Sequence, residues 1–87
     1  LNKKTEVMIY SNGSLVDTLW INGHQAFNVP SYINPVRSGY TLSGWKYKDA
    51  VYQLGDKILP DNDSQIILEA VYTANTNNLT LNSFKNS

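Results

Sequence analysis

Ser38-Gly39-Tyr40-Thr41-Leu42-Ser43-Gly44-Trp45-Lys46-Tyr47 is the stretch on which the reading of this chain turns. Tyr40, Thr41, Leu42, Trp45 and Tyr47 are residues that strands favour, and they predict a strand over 40–47. Gly39 reaches a φ that other residues resist, so a turn is expected just before that strand. Strand side chains alternate between faces, so Tyr40 and Leu42 share a face that Trp45 would miss by one position. All three point inward only if the alternation breaks between 42 and 45. Ser43-Gly44 predicts the β-bulge that breaks it. Truncating a core aromatic costs ~3–5 kcal/mol, so a buried Trp45 would dominate a small core.

Upstream, Glu6-Val7-Met8-Ile9-Tyr10 reads as a strand, and 15–21 as its return, with Ser11-Asn12-Gly13-Ser14 between them. Asn-Gly between apolar runs is the strongest short hairpin signal. Asn22-Gly23 offers a second turn, and 24–29 an extended segment or short strand. Pro30, Pro35 and Gly39 exclude a long helix from 30–39 and leave room for one helical turn over 31–33. Downstream, Asp49 marks a turn, 51–54 a short strand that Gly55-Asp56 ends, and 60–63 another turn. The last strand covers 66–73, with Ile66, Leu68, Ala70 and Tyr72 on one face. Ile67, Glu69 and Val71 share the other, a mixture that predicts partial cover there too. No helical period is sustained for ten residues, so the fold class is α+β, mostly β, with at most one short helix. One domain is expected over 1–74, with 75–87 a linker or the start of a following module carrying Leu79, Leu81 and Phe84.

The chain has 87 residues, room for one domain with a thin margin of stability. Seven basic and seven acidic residues cancel and are scattered, so no nucleic-acid partner is expected. No cysteine is present, which excludes disulfides, Cys-ligated zinc and a cysteine nucleophile. Small eukaryotic secreted domains are usually disulfide-stapled, so a cytosolic or an exported bacterial protein fits better. No run approaches the length of a membrane span, and no membrane insertion is expected in this segment. No signal peptide is visible, and the chain reads as part of a longer protein.

His24, the one histidine, has no Gly-x-Ser-x-Gly elbow to serve and reads as a turn residue. Asp61-Asn62-Asp63 lacks the further oxygen ligands, Gly and distal Glu of a calcium loop, so no metal site is expected. No catalytic residue and no cofactor site emerge. Exposed aromatics stack on sugars in many surface modules, and Trp20, Tyr32, Tyr47 and Tyr52 are the candidate ligand contacts. Packing in or over the core is the plainer reading of the same four.

Taken with Ile67-Leu68-Glu69-Ala70-Val71-Tyr72, Met8-Ile9-Tyr10-Ser11-Asn12-Gly13 and Pro35-Val36-Arg37, the block at 38–47 resembles the Listeria–Bacteroides repeat, also called the internalin B-repeat. That family opens on an extended segment ending in Asn-Gly, continues through a Pro and a Gly-Tyr-Thr-Phe-x-Gly-Trp block, and closes on Leu-Tyr-Ala-x-Trp. The resemblance covers about residues 6–73. It departs at the single Gly after Asn12, at Leu42 for an aromatic and at Tyr72 for the closing Trp. It implies a β-grasp, ubiquitin-like fold and a non-catalytic module of a bacterial secreted or cell-surface protein. Such a module acts as a spacer or stalk, with adhesion or protein contact as a further role. Expected partners are neighbouring modules of the same protein, with a host protein or glycan beyond them, and the module itself is expected to be a monomer. A glycan-binding accessory module is the alternative.

Overall fold

The structure, a computed structural model, describes residues 3–76. Strands form where β-favouring runs lie between turn residues: β1 (Lys4–Ser11), β2 (Ser14–Asn22), β3 (Tyr40–Tyr47), β4 (Ala50–Gln53) and β5 (Gln65–Ala74). Asn12 and Gly13 take φ of 53° and 84°, the pair of left-handed residues that a tight β1–β2 turn requires. Gly39 has φ 81° and leads into β3, as its place in the sequence predicts.

The five strands make one sheet in the order β2-β1-β5-β3-β4. β1 and β5 pair in parallel, and the other three pairs are antiparallel. The fold is therefore a small, mostly β structure around a mixed sheet, with no helix among the described residues.

The bulge in β3 lies where the alternation argument puts it. Leu42 faces Tyr72, but Gly44 already faces Val71, so Ser43 is the extra residue. Its hydroxyl donates to the Val71 carbonyl at 3.1 Å. The shift turns Trp45 onto the same face as Leu42, where it is 2 % exposed and packs opposite Ala70 and Tyr52. Gly44 also lies tight against β4: a Cβ there would sit 2.1 Å from the Tyr52 carbonyl oxygen.

The core occupies one face of the sheet. Val7 and Ile9 of β1 and Ile66 and Leu68 of β5 are fully buried, beside Trp45 and Tyr47. Residues 23–39 cross over this face and bring Phe27 and Ile33 onto it. Phe27 and Ile58, the latter in the loop between β4 and β5, exchange backbone hydrogen bonds of 3.1 and 2.7 Å. Two irregular segments are thereby fastened to each other above the sheet. The start of the crossover is tied down by the buried Thr5, whose hydroxyl donates to the Gly23 carbonyl at 2.6 Å.

Some expectations are corrected. The helical turn allowed at 31–33 is a single hydrogen-bonded turn, with the Ile33 N–H donating to the Pro30 carbonyl at 3.0 Å. Pro30 and Pro35 remove two donors from so short a segment, so a helix has too few bonds to form. The extended segment at 24–29 contributes one bridge, at Phe27, rather than a strand. The partial cover expected over Ile67, Glu69 and Val71 holds at Val71, which is half-buried, and not at Ile67, which is 50 % exposed, nor at Glu69. The crossover can lie on only one face, and it lies on the other. β5 ends at Ala74, and the Asn75 N–H donates to the Gly39 carbonyl at 2.9 Å. Most of the segment at 75–87, including Leu79, Leu81 and Phe84, lies outside the described residues.

Two glycine substitutions separate crowding from backbone conformation. Gly44→Ala is expected to destabilise the fold by about 3 kcal/mol, the upper range for overpacking, because the atom it meets is backbone. Gly13→Ala meets nothing within 4 Å and bears only the strain of φ +84°, about 1 kcal/mol. Urea unfolding of both variants reads the difference, and equal losses would refute the steric account of Gly44.

Candidate functional surface

The four aromatics singled out by the sequence do not gather in one place. Trp20 faces Glu6 across the β1–β2 pair and is 61 % exposed. Its neighbours Leu19 and Ile21 pack against the core, so Trp20 stands on the uncovered face of the sheet. Tyr32 is 75 % exposed in the crossover, which lies over the covered face. Tyr47 is 5 % exposed, and its hydroxyl accepts the Asp61 N–H at 2.8 Å. Tyr52 is half-buried against the core, opposite Trp45. Two candidates are thus exposed on opposite sides, and two are packed inside, as the alternation of β3 and β4 dictates.

The uncovered face is mixed in character. Met8 faces Ile67 across the central parallel pair, with Trp20 diagonal to Met8 on β2. Val51, exposed on β4, faces Lys46. Polar groups interrupt this apolar row. Gln65 Nε2 donates to the Glu6 carboxylate at 2.9 Å, and Lys46 faces Glu69 in register. A shallow depression of about 320 Å³ lies beside Lys46, Ile67 and Glu69. On the opposite side, at the tip of the β1–β2 hairpin, Tyr32 and Val36 border a hollow with Asn12, Ser14 and Val16.

A charged cluster sits at the β3–β4 turn. Lys48 adopts a left-handed φ of 54°, uncommon for a residue with a side chain. Its ammonium lies 2.7 Å from Asp61 and 2.6 Å from Asp63. The hydrogen bonds to Asp61 and then to Asp63 hold the Lys48 ammonium well above its ordinary value of 10.5. The carboxylates that the sequence raised as a cation candidate are therefore bridged by a lysine. Among the described residues no group of three His, Cys, Asp or Glu is gathered to hold a metal. His24, exposed as expected, donates from Nε2 to the Asp63 carbonyl at 2.7 Å. Lys48 and His24 thus fasten the 61–63 turn from two sides.

One cluster escaped sequence reasoning. The Arg37 guanidinium lies 3.9 Å over the Tyr40 ring, Tyr40 meets Tyr72 edge-on at 6.5 Å, and the Tyr72 hydroxyl is 2.6 Å from Ser11 Oγ. Tyr40 and Tyr72 are near neighbours because Tyr40 pairs with Ala74 and Leu42 with Tyr72. The signal available was their shared parity with Leu42 and Ala70, but only the register places them side by side. What the described side chains offer is contact area and a few fixed polar groups, with the one imidazole bonded to a backbone carbonyl.

Among the described residues no helix is long and apolar enough to cross a membrane. No family model, curated protein or solved structure matches this chain.

The Lys48 cluster carries a pH signature. A folded-state pKa above the unfolded value adds stability that is complete below that unfolded value and fades as pH rises beyond it. The contribution of Lys48 should therefore hold up to about pH 10.5 and decline above it. In Lys48→Met the alkaline loss should be smaller than in the parent, read by thermal melts from pH 8 upward. Because the pair is half exposed, the effect should shrink in high salt. Identical pH profiles for the two proteins would exclude the linkage.

Proposed function

We propose that this chain is a non-catalytic repeat module of a bacterial secreted or cell-surface protein, acting as a spacer with a contact surface. The observation that carries this reading is the parallel pairing of the first and last strands. Because β1 and β5 lie side by side and run the same way, the chain enters the sheet at one end and leaves it at the other. Modules joined through those ends follow one another lengthwise, which suits a stalk. An entry and exit at the same end would fold each module back on its neighbour.

The family resemblance adds support through the Gly39 turn, the Ser43-Gly44 bulge and buried Trp45, which give its central block a physical purpose here. In this reading the fold is a β-grasp variant. β2 on one side and the β3–β4 hairpin on the other flank a central parallel pair, and an irregular crossover lies where a helix would otherwise cover the sheet. The module works outside the cell, and contact with a host protein falls on the uncovered face around Trp20, Met8 and Ile67. A glycan-binding role calls for two coplanar exposed aromatics. Trp20 and Tyr32, on opposite sides, do not make that platform.

Antibodies raised against this module should label intact cells of the bacterium that carries the gene, and protease treatment of intact cells should remove the signal. Labelling that requires lysis would refute the surface assignment. Titration of the 87-residue chain against a glycan panel, followed by NMR shifts at Trp20 and Tyr32, should leave both unmoved. A saturable shift at either would bring the glycan reading forward.

A further inference from the structure

We propose that the β1–β5 ladder is a tension-bearing clamp, so that the domain resists being pulled lengthwise by its two ends. The sheet order divides the strands into β2-β1 on one side and β5-β3-β4 on the other. Among the described residues the β1–β5 ladder is the one strand pairing that joins these halves. Tension applied before β1 and after β5 pulls the two strands in opposite directions along their own axes. It therefore runs across the hydrogen bonds of the ladder and stretches them together. Residues 6–10 face residues 65–69 without a register break, so the whole run shares the tension.

Burial concentrates at this same place. Val7, Ile9, Ile66 and Leu68 flank the ladder on the core side, and all are 0 % exposed. Water is excluded from that side, so a stretched bond finds no immediate replacement partner there. Slippage does not offer an escape either. A one-residue shift sends every side chain of a strand to the other face. It would carry Val7 and Ile9 out of the core and bring Glu6 and Met8 in. The Phe27–Ile58 bonds add a second tie, between the crossover and the loop leading into β5. Strands β2, β3 and β4 lie outside the direct path of the force.

The geometry makes resistance directional. β1 ends at Ser11 and β5 at Ala74, at the same end of the parallel pair. Pulling from the hairpin tip and from the C-terminal end opens the ladder from Tyr10 and Glu69 one pair at a time. The value of a clamp to a stalk rests on the reading given under Proposed function, but the clamp itself does not.

The chain has no cysteine, so added ones define where handles attach. One form of the full 87-residue chain takes a cysteine at each end. A second takes Ser14→Cys, at an exposed site, with a cysteine at the C-terminal end. Urea unfolding first checks that both forms retain the parent stability. Optical-tweezer pulling at one loading rate then compares them; forced unfolding reports the barrier rather than the equilibrium. The end-to-end geometry should require a several-fold higher force and open in one step. Equal forces would overturn the clamp, as would an end-to-end trace that opens stepwise at low force. Such a failure leaves the surface-labelling result standing, and a failed labelling experiment leaves the pulling result standing.

Discussion

Val7 and Ile9 lie against Ile66 and Leu68 across the parallel β1–β5 pair, and the rest of the sheet is arranged around that contact. Parallel strands cannot be joined by a tight turn, so the chain between them must travel. Here it makes one hairpin beside β1, crosses over the core face and makes a second hairpin beside β5. Parallel strands are usually covered on both faces. This pair is covered on one, and its residues alternate accordingly: Thr5, Val7 and Ile9 are buried, whereas Lys4, Glu6 and Met8 are not.

Covering that single face without a helix sets the second constraint. Pro30 and Pro35 keep the crossover irregular, so it cannot satisfy its own backbone as a helix does. Neighbours satisfy part of it instead: Thr5 donates to the Gly23 carbonyl, and Ile58 exchanges both bonds with Phe27. Trp45 joins the core with Phe27 and Ile33 of the crossover, and it reaches that face through the extra residue at Ser43. The bulge, the Gly44 backbone contact and the burial of the indole are one device. Altering any of the three disturbs the others, because β4 lies a backbone's width away from Gly44.

The same asymmetry shapes what the surface can do. The uncovered face presents Trp20, Met8 and Ile67 among charges. The turn at 61–63, with two acidic residues close together, is held by Lys48 and His24 from this chain. The opposed ends of β1 and β5 give the molecule a lengthwise axis. Along that axis sit the fully buried Val7, Ile9, Ile66 and Leu68 and the strand pairing that, among the described residues, joins the two halves of the sheet.

How much of this was legible in the residues depends on the range of the interaction involved. Strand runs, the Asn12-Gly13 hairpin, the turn at Gly39, the bulge at Ser43-Gly44 and the division of β5 into two faces follow from alternation and backbone preference over a few neighbours. Those forces act within a strand or a turn, and sequence alone determines them. The parallel placement of β5 beside β1 depends on which faces meet after the whole chain has turned back on itself. The meeting of Tyr40 with Tyr72, and of Lys48 with Asp61 and Asp63, depends on register between distant segments. So does the sorting of Trp20 and Tyr32 to the outside and Tyr47 and Tyr52 to the inside, since a strand pattern tells two faces apart without saying which one will be covered. That choice belongs to the crossover, and only the tertiary structure decides on which side of the sheet it lies.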